Sequence, residues 1–258
     1  GFQASAGVTR RLRKCSKAAM NRRTPKGPPC VLRLALFAAL WLACIGLCAW
    51  AAESPAAAVL VLTADTTLDP AKTYGAIEIR ASNIVVDGRG ASVVGQAAAK
   101  PNQRKGVAVS AKGQNGVTLK NVKARGWEIG LSVEDGAGWT IQGCDFSDNY
   151  HDPEFGWGEK GRCGGIVLSR VRKSIVRGNR ANRVWDACTL ANSDENLVID
   201  NDFSHASNTC LKLWTACRNR IEKNNLSYGL RLKPGEVHAR DSTCVLIESG
   251  SNDNRFAD

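Results

Sequence analysis

The chain has only three histidines, His151, His205 and His238, and each falls among acids, bases and aromatic rings. Asp148, Asp152, Glu154, Lys160 and Arg162 surround the first; Arg231, Lys233, Glu236, Arg240 and Asp241 surround the last. Tyr150, Trp157, Trp185 and Tyr228 add aromatic faces. Three chemistries use such a set. Eliminating or epimerising a uronate requires a cation to neutralise a carboxylate and a base to remove the neighbouring proton. Arg231, Lys233 or Arg240 suit the first task, and His151, His238 or Tyr150 the second. Hydrolysis of a glycosidic bond needs two carboxyls about 5–10 Å apart, drawn from Asp152, Glu154 and Asp241. A metal centre would recruit the three histidines with a carboxylate. The catalytic candidates are therefore His151, Asp152, His238 and Arg240. The candidates for holding a substrate are Tyr150, Glu154, Trp157, Trp185, His205, Arg231, Lys233 and Asp241, and no metal-ligand set is assigned. Charged loop residues taken singly are usually just solvated; it is the joint placement of the histidines that marks this sector. Aromatic platforms among mixed charges suit an extended sugar chain, with rings stacking and hydrogen bonds orienting hydroxyls.

What must position these residues is a repeat. Leu119, Ile141, Val176, Val198, Ile221 and Phe256 each lead a similar short pattern, at steps of 22, 35, 22, 23 and 35 residues. Apolar pairs at i and i+2 precede the pattern: Leu131 and Val133, Ile166 and Leu168, Cys188 and Leu190, Leu211 and Leu213. That spacing is strand periodicity with one face inward. A fixed period near 22 residues predicts an all-β solenoid of short coils, each covering its neighbours' apolar faces. Asn179, Asn201 and Asn224 recur at one coil position, which predicts a stacked column of amides with a structural role. The two oversized steps place insertions at 147–162 and 227–242, at the same point of the coil. Two such loops should wall a cleft floored by 182–186 and 204–208.

These units, with Asn83-Ile-Val-Val-Asp87-Gly88-Arg-Gly90 near the start, resemble right-handed parallel β-helix repeat proteins. That is the pectate-lyase-like superfold, with its NosD-like and carbohydrate-binding and sugar-hydrolase groups. The resemblance covers roughly 59–258 and implies the right-handed parallel β-helix. It implies polysaccharide binding, with lyase or epimerase-like processing of an acidic glycan favoured. It leaves room for a non-catalytic envelope module that binds glycan or protein, and for a NosD-like periplasmic accessory. Calcium enters as a cofactor through the resemblance alone.

The formal charge of +11 suggests nucleic acid, but residues 1–52 hold nine Lys or Arg and no acid. The remainder carries 26 basic and 24 acidic residues, so no nucleic-acid partner is expected. Met20 is the only methionine, and a basic stretch follows it, then an uncharged run from Leu34 to Ala52. This predicts upstream sequence at 1–19 and a helical signal peptide at 20–51 cut after Ala51. The alternative is an uncleaved anchor, the chain's one expected route to a membrane. The protein is accordingly expected to be secreted, periplasmic or in the cell envelope. A cap with the first coils is expected at 52–104 and regular coils at 105–258. The last coil is cut short at Asp258, which predicts continuation beyond it. In an oxidising compartment the six cysteines past the leader favour disulfides. Cys210 with Cys244 and Cys144 with Cys163 are the candidate pairs, and Cys188 reads as a buried thiol.

Overall fold

The computed structural model describes residues 58–258. The expectations for 1–19, for the signal peptide or anchor at 20–51 and for its helical form lie outside the described residues. Within them the elements are short strands and one 3₁₀ turn, Pro101–Gln103, in the polar loop that precedes the regular coils.

Strands pair only in parallel, each with the equivalent strand one coil away. The first sheet takes Leu60–Leu62, Ile77–Ile79, Val107–Lys112, Ile129–Ala137, Gly164–Arg172, Asp186–Ala191, Thr209–Trp214 and Thr243–Glu248 in that order. The second runs from Thr66–Thr67 through Thr140–Gln142 to Arg255–Ala257. A third sheet of Thr73–Tyr74, Ser92–Val94 and Lys123–Arg125 continues as single bridges through Asp145, Arg180, Asp202 and Asn225. The result is an all-β parallel β-helix.

The inward positions are those the alternation marks. Leu131, Ile166, Cys188 and Leu211 stack in one register, and Val133, Leu168, Leu190 and Leu213 in the next; Val245 and Ile247 of the last coil continue the two columns but are half-buried and exposed, respectively. Leu119, Ile141, Val176, Val198 and Ile221 fill the core from the second sheet. Burial of these side chains is the principal stabilising contribution, about 1.5–3 kcal/mol for each fully buried large aliphatic.

The turns use amide ladders. Asn201 Oδ1 accepts from the main-chain and side-chain nitrogens of Asn179, and Asn224 Oδ1 does the same for Asn201. A second column runs Ser174–Asn196–Asn219–Asn254 and caps another turn of the coil in the same way. Each ladder satisfies buried main-chain donors that the strands cannot reach.

The coil stays in register further into both insertions than the repeat suggests. Phe146 and Asp148 still donate to Arg180 and Asn182 of the next coil, and Trp185 donates to the Tyr150 carbonyl at 2.6 Å. Asp186 bonds Cys163 on the far side. In the second insertion His205 bonds Ser227, Leu230 bonds Ala206, and Thr243 resumes on Asn208. The parts that leave the coil are therefore 151–162 and 231–242.

All six cysteines of the described residues are free thiols, which corrects the disulfide expectation. Cys144, Cys163, Cys210 and Cys217 face main-chain oxygen, and Cys244 lies beside Cys210 as a thiol and accepts from Gly229 N. Cys144 donates to Gln142 O, Cys210 to Ser227 O at 3.4 Å, and Cys163 contacts Lys160 O and Gly161 O. Cys188 is a fully buried thiol in the core.

Candidate functional site

Trp185 is the hub on which both insertions sit. It ends the turn into the first sheet, and its ring is fully buried. Tyr150 and Phe155 of the first loop meet it edge-on, with centroids 6.2 and 5.4 Å away. The Arg231 guanidinium of the second loop lies 4.4 Å from its centroid. Arg231 is itself fully buried and donates to Ser207 O, Gly156 O, Gly158 O and Asn208 Oδ1. Arg240 donates to Glu154 O and Phe155 O, and Asp241 accepts from Gly158 N at 3.0 Å. The loops thus clasp each other across the coils. This differs from the open cleft that the spacing suggests. A buried guanidinium needs several acceptors, and the carbonyls of the opposite loop supply them.

The sequence-derived candidates divide accordingly. Tyr150, Asp152, Trp185, Arg231, Arg240, Glu154 and Asp241 are drawn into or beside the clasp. Lys160 Nζ donates to Tyr150 Oη at 2.8 Å and lies 3.4 Å from the buried Asp152 carboxylate. Burial pushes the Tyr150 phenol up, and that hydrogen bond pushes the Lys160 ammonium up. Half-buried His151 faces Val184 O through Nδ1 at 3.1 Å, and burial lowers its pKa. His205 and Tyr228 stack on the exposed side with centroids 4.8 Å apart. Trp157, Lys233 and His238 are exposed on the loops. The three histidines do not converge. Among the described residues no three His, Cys, Asp or Glu side chains are grouped to hold a metal.

Beneath the first loop lies a centre that residue types alone did not single out. Asp186 and Thr209 are register partners on the first sheet, as are Thr189 and Lys212. Thr189 and Lys212 each sit between two inward residues, so they point out of the coil. All four are buried. Asn208 Nδ2 donates to Asp186 Oδ1 at 2.7 Å. Glu159 of the loop meets Lys212 Nζ at 2.7 Å and Asn208 Nδ2 at 3.3 Å. Asp186 Oδ2, Thr189 Oγ1 and Thr209 Oγ1 are buried without a hydrogen-bond partner. Burial, helped by the Glu159 charge, pushes the Asp186 carboxyl up to about 7, with the Asn208 amide, the Lys212 ammonium and the adjacent Thr209 hydroxyl pulling against that rise. A carboxyl that changes protonation near neutrality, beside an ammonium, can move a proton or hold one for donation. The signal was faint: Asp186 and Asn208 lie within the floor segments, but Lys212 and Thr189 look like ordinary solvated strand positions until the loop covers them.

A family model described as a right handed beta helix region matches residues 105–257. Among solved structures, alginate lyase from Paenibacillus sp. str. FPU-7 is 12% identical, over 80% of this chain and 92% of that chain, with a TM-score of 0.28. The fluoroquinolone resistance protein QnrB1, in a trypsin-treated form, is 14% identical over 74% and 92% of the two chains, with a TM-score of 0.17. Likenesses of this size carry nothing about activity. No curated protein matches the sequence.

Proposed function

The chain belongs to the right-handed β-helix family, and we propose that it is an exported member that binds an acidic polysaccharide and processes it by proton abstraction next to a carboxylate. The observation that carries this reading is the buried Asp186 carboxyl, bonded to Asn208 on the floor that also carries the buried Lys212 ammonium under the first insertion, with burial raising its pKa. In this reading Lys212 and Asn208 bind the uronate carboxylate and so acidify the carbon-bound proton beside it. Asp186 in its ionised form takes that proton. Tyr150, bonded to Lys160, serves the leaving oxygen or returns a proton to the opposite face. Elimination then breaks the C–H and C–O bonds and leaves a double bond; epimerisation restores the C–H bond. The exposed aromatic rings of Trp157 and the Tyr228–His205 stack, with Lys233 and His238, offer contacts along the chain of sugars. His151, Asp152, Glu154, Arg231, Arg240 and Asp241 hold the loops that shape this surface.

The test is incubation of purified protein with a panel of polyuronates, following absorbance at 232 nm and proton exchange at the carbon next to the carboxylate. Turnover that falls at least 100-fold in Asp186→Asn and in Lys212→Met supports the reading. Absence of both signals on every polyuronate ends it. A binding module without turnover is the second reading, favoured by the closure of the loops over Asp186. It predicts saturable glycan binding with unchanged glycan.

A further inference from the structure

Glu159 is held the way a carboxylate ligand would be. Its two oxygens meet an ammonium and an amide, Lys212 Nζ at 2.7 Å and Asn208 Nδ2 at 3.3 Å. The donors belong to the rigid floor. Lys212 stands on a strand paired on both sides, and Asn208 is pinned by Arg231 and by Asp186. The acceptor belongs to a loop, and its side chain is 45% exposed while that of Lys212 is 5% exposed. Glu159 can therefore leave by rotating its own side chain while Arg231 keeps the loop backbone in place. Gly158 before it and Gly161 two residues after it have nothing within 4 Å of where a Cβ would stand, so the loop backbone on either side is uncrowded.

The floor also has polar capacity that Glu159 does not use. Asp186 and Thr209 are register partners and Thr189 pairs with Lys212 on the same two strands; Asp186 Oδ2, Thr189 Oγ1 and Thr209 Oγ1 are buried without a well-formed hydrogen bond, although the Thr209 hydroxyl is near enough to Asp186 to stabilise its carboxylate. Buried polar atoms are nearly always hydrogen-bonded, and unmet ones on the strands that carry Lys212 match a ligand that brings hydroxyls with its carboxylate. A uronic acid does that; a simple anion does not.

We propose that Glu159 is an internal stand-in for a uronate carboxylate, occupying Lys212 and Asn208 until the sugar displaces it and its hydroxyls meet Thr189, Thr209 and Asp186. The identity of the ligand rests on the acidic-glycan reading above, whereas the displaceable anion site does not. A tethered competitor of this kind acts at an effective concentration on the order of millimolar, so its removal should be visible at the level of a single sugar.

The experiment is titration of the full chain with glucuronate, galacturonate, a uronate oligosaccharide, acetate and uncharged galactose. The variants are Glu159→Gln, Glu159→Ala and Lys212→Met, each checked for an unchanged melting transition. Both Glu159 variants should bind the uronates at least tenfold more tightly than the parent, acetate should gain less, and galactose should gain nothing. Lys212→Met should lose uronate binding. Unchanged or weaker uronate affinity in the Glu159 variants overturns the proposal, as does an equal gain for galactose, which would mean only an opened cavity. The two readings fail separately. Tighter uronate binding without turnover of any polymer removes the processing function and leaves the stand-in. Polymer turnover with Glu159→Gln unchanged in affinity removes the stand-in and leaves the function.

Discussion

Replacing Asp186 with Asn tests whether the centre under the first loop is as dry as its geometry indicates. The carboxyl rises from 3.8 to about 7 on folding, chiefly through burial. Each pKa unit corresponds to about 1.4 kcal/mol, so three units amount to a penalty on the order of 4 kcal/mol at high pH. Below about pH 4 both the folded and the unfolded chain carry the proton, and no penalty exists. Between about pH 4 and 7 the unfolded chain ionises while the folded one keeps its proton, so stability falls as pH rises. Above 7 the loss is complete and constant. Asn keeps the shape, accepts the Asn208 hydrogen bond through its oxygen and never ionises. Urea unfolding of parent and variant at half-unit steps from pH 4.5 to 8.5 gives a difference curve in which the other titrating groups largely cancel. The variant should gain a few kcal/mol on the parent across that window and then stay level. A difference curve flat from pH 4.5 to 8.5 would refute the reasoning, because it would mean that Asp186 ionises freely in solvent.

Two further perturbations test the elements that hold the site. Arg231→Ala removes the buried clasp between the loops and leaves Asn208 and three carbonyls short of a donor. It should cost roughly 3 kcal/mol and make the chain susceptible to limited proteolysis within 151–162 and 231–242; a protease-resistant variant would show that the loops stand without it. Asn201→Ala cuts the amide ladder in the middle, stranding Asn179 N on one side and leaving Val176 O without the Asn201 amide donor. It should lower stability by roughly 2–4 kcal/mol and leave uronate affinity unchanged, as measured by calorimetric unfolding and by titration.

Much of the fold is legible in the sequence because a solenoid is nearly one-dimensional. Each coil touches only its neighbours, so a residue's position in the repeat fixes its face. Cys188 and Leu211 are inward for the same reason that Ile166 is. The second ladder could have been read too: Ser174, Asn196, Asn219 and Asn254 step by 22, 23 and 35 residues, the increments already seen in the core. The site was legible only as a region. Insertions at one coil position localise it, but residue type misleads within it. Arg231 reads as an exposed cation of a polar loop and is fully buried as the clasp. Trp185 reads as a sugar platform and packs beneath the loops. Lys212 reads as a solvated strand position and stands buried, paired with Glu159 53 residues earlier.

The sequence by itself determined the coil: its period, its inward residues and its amide columns all follow from local alternation repeated at a fixed step. Only the tertiary structure decided that the two insertions close on each other, and with that closure which polar groups lose water. Local patterns set which way a side chain points, but its charge state and partners depend on what covers it. That cover comes from loops whose conformation no periodicity governs.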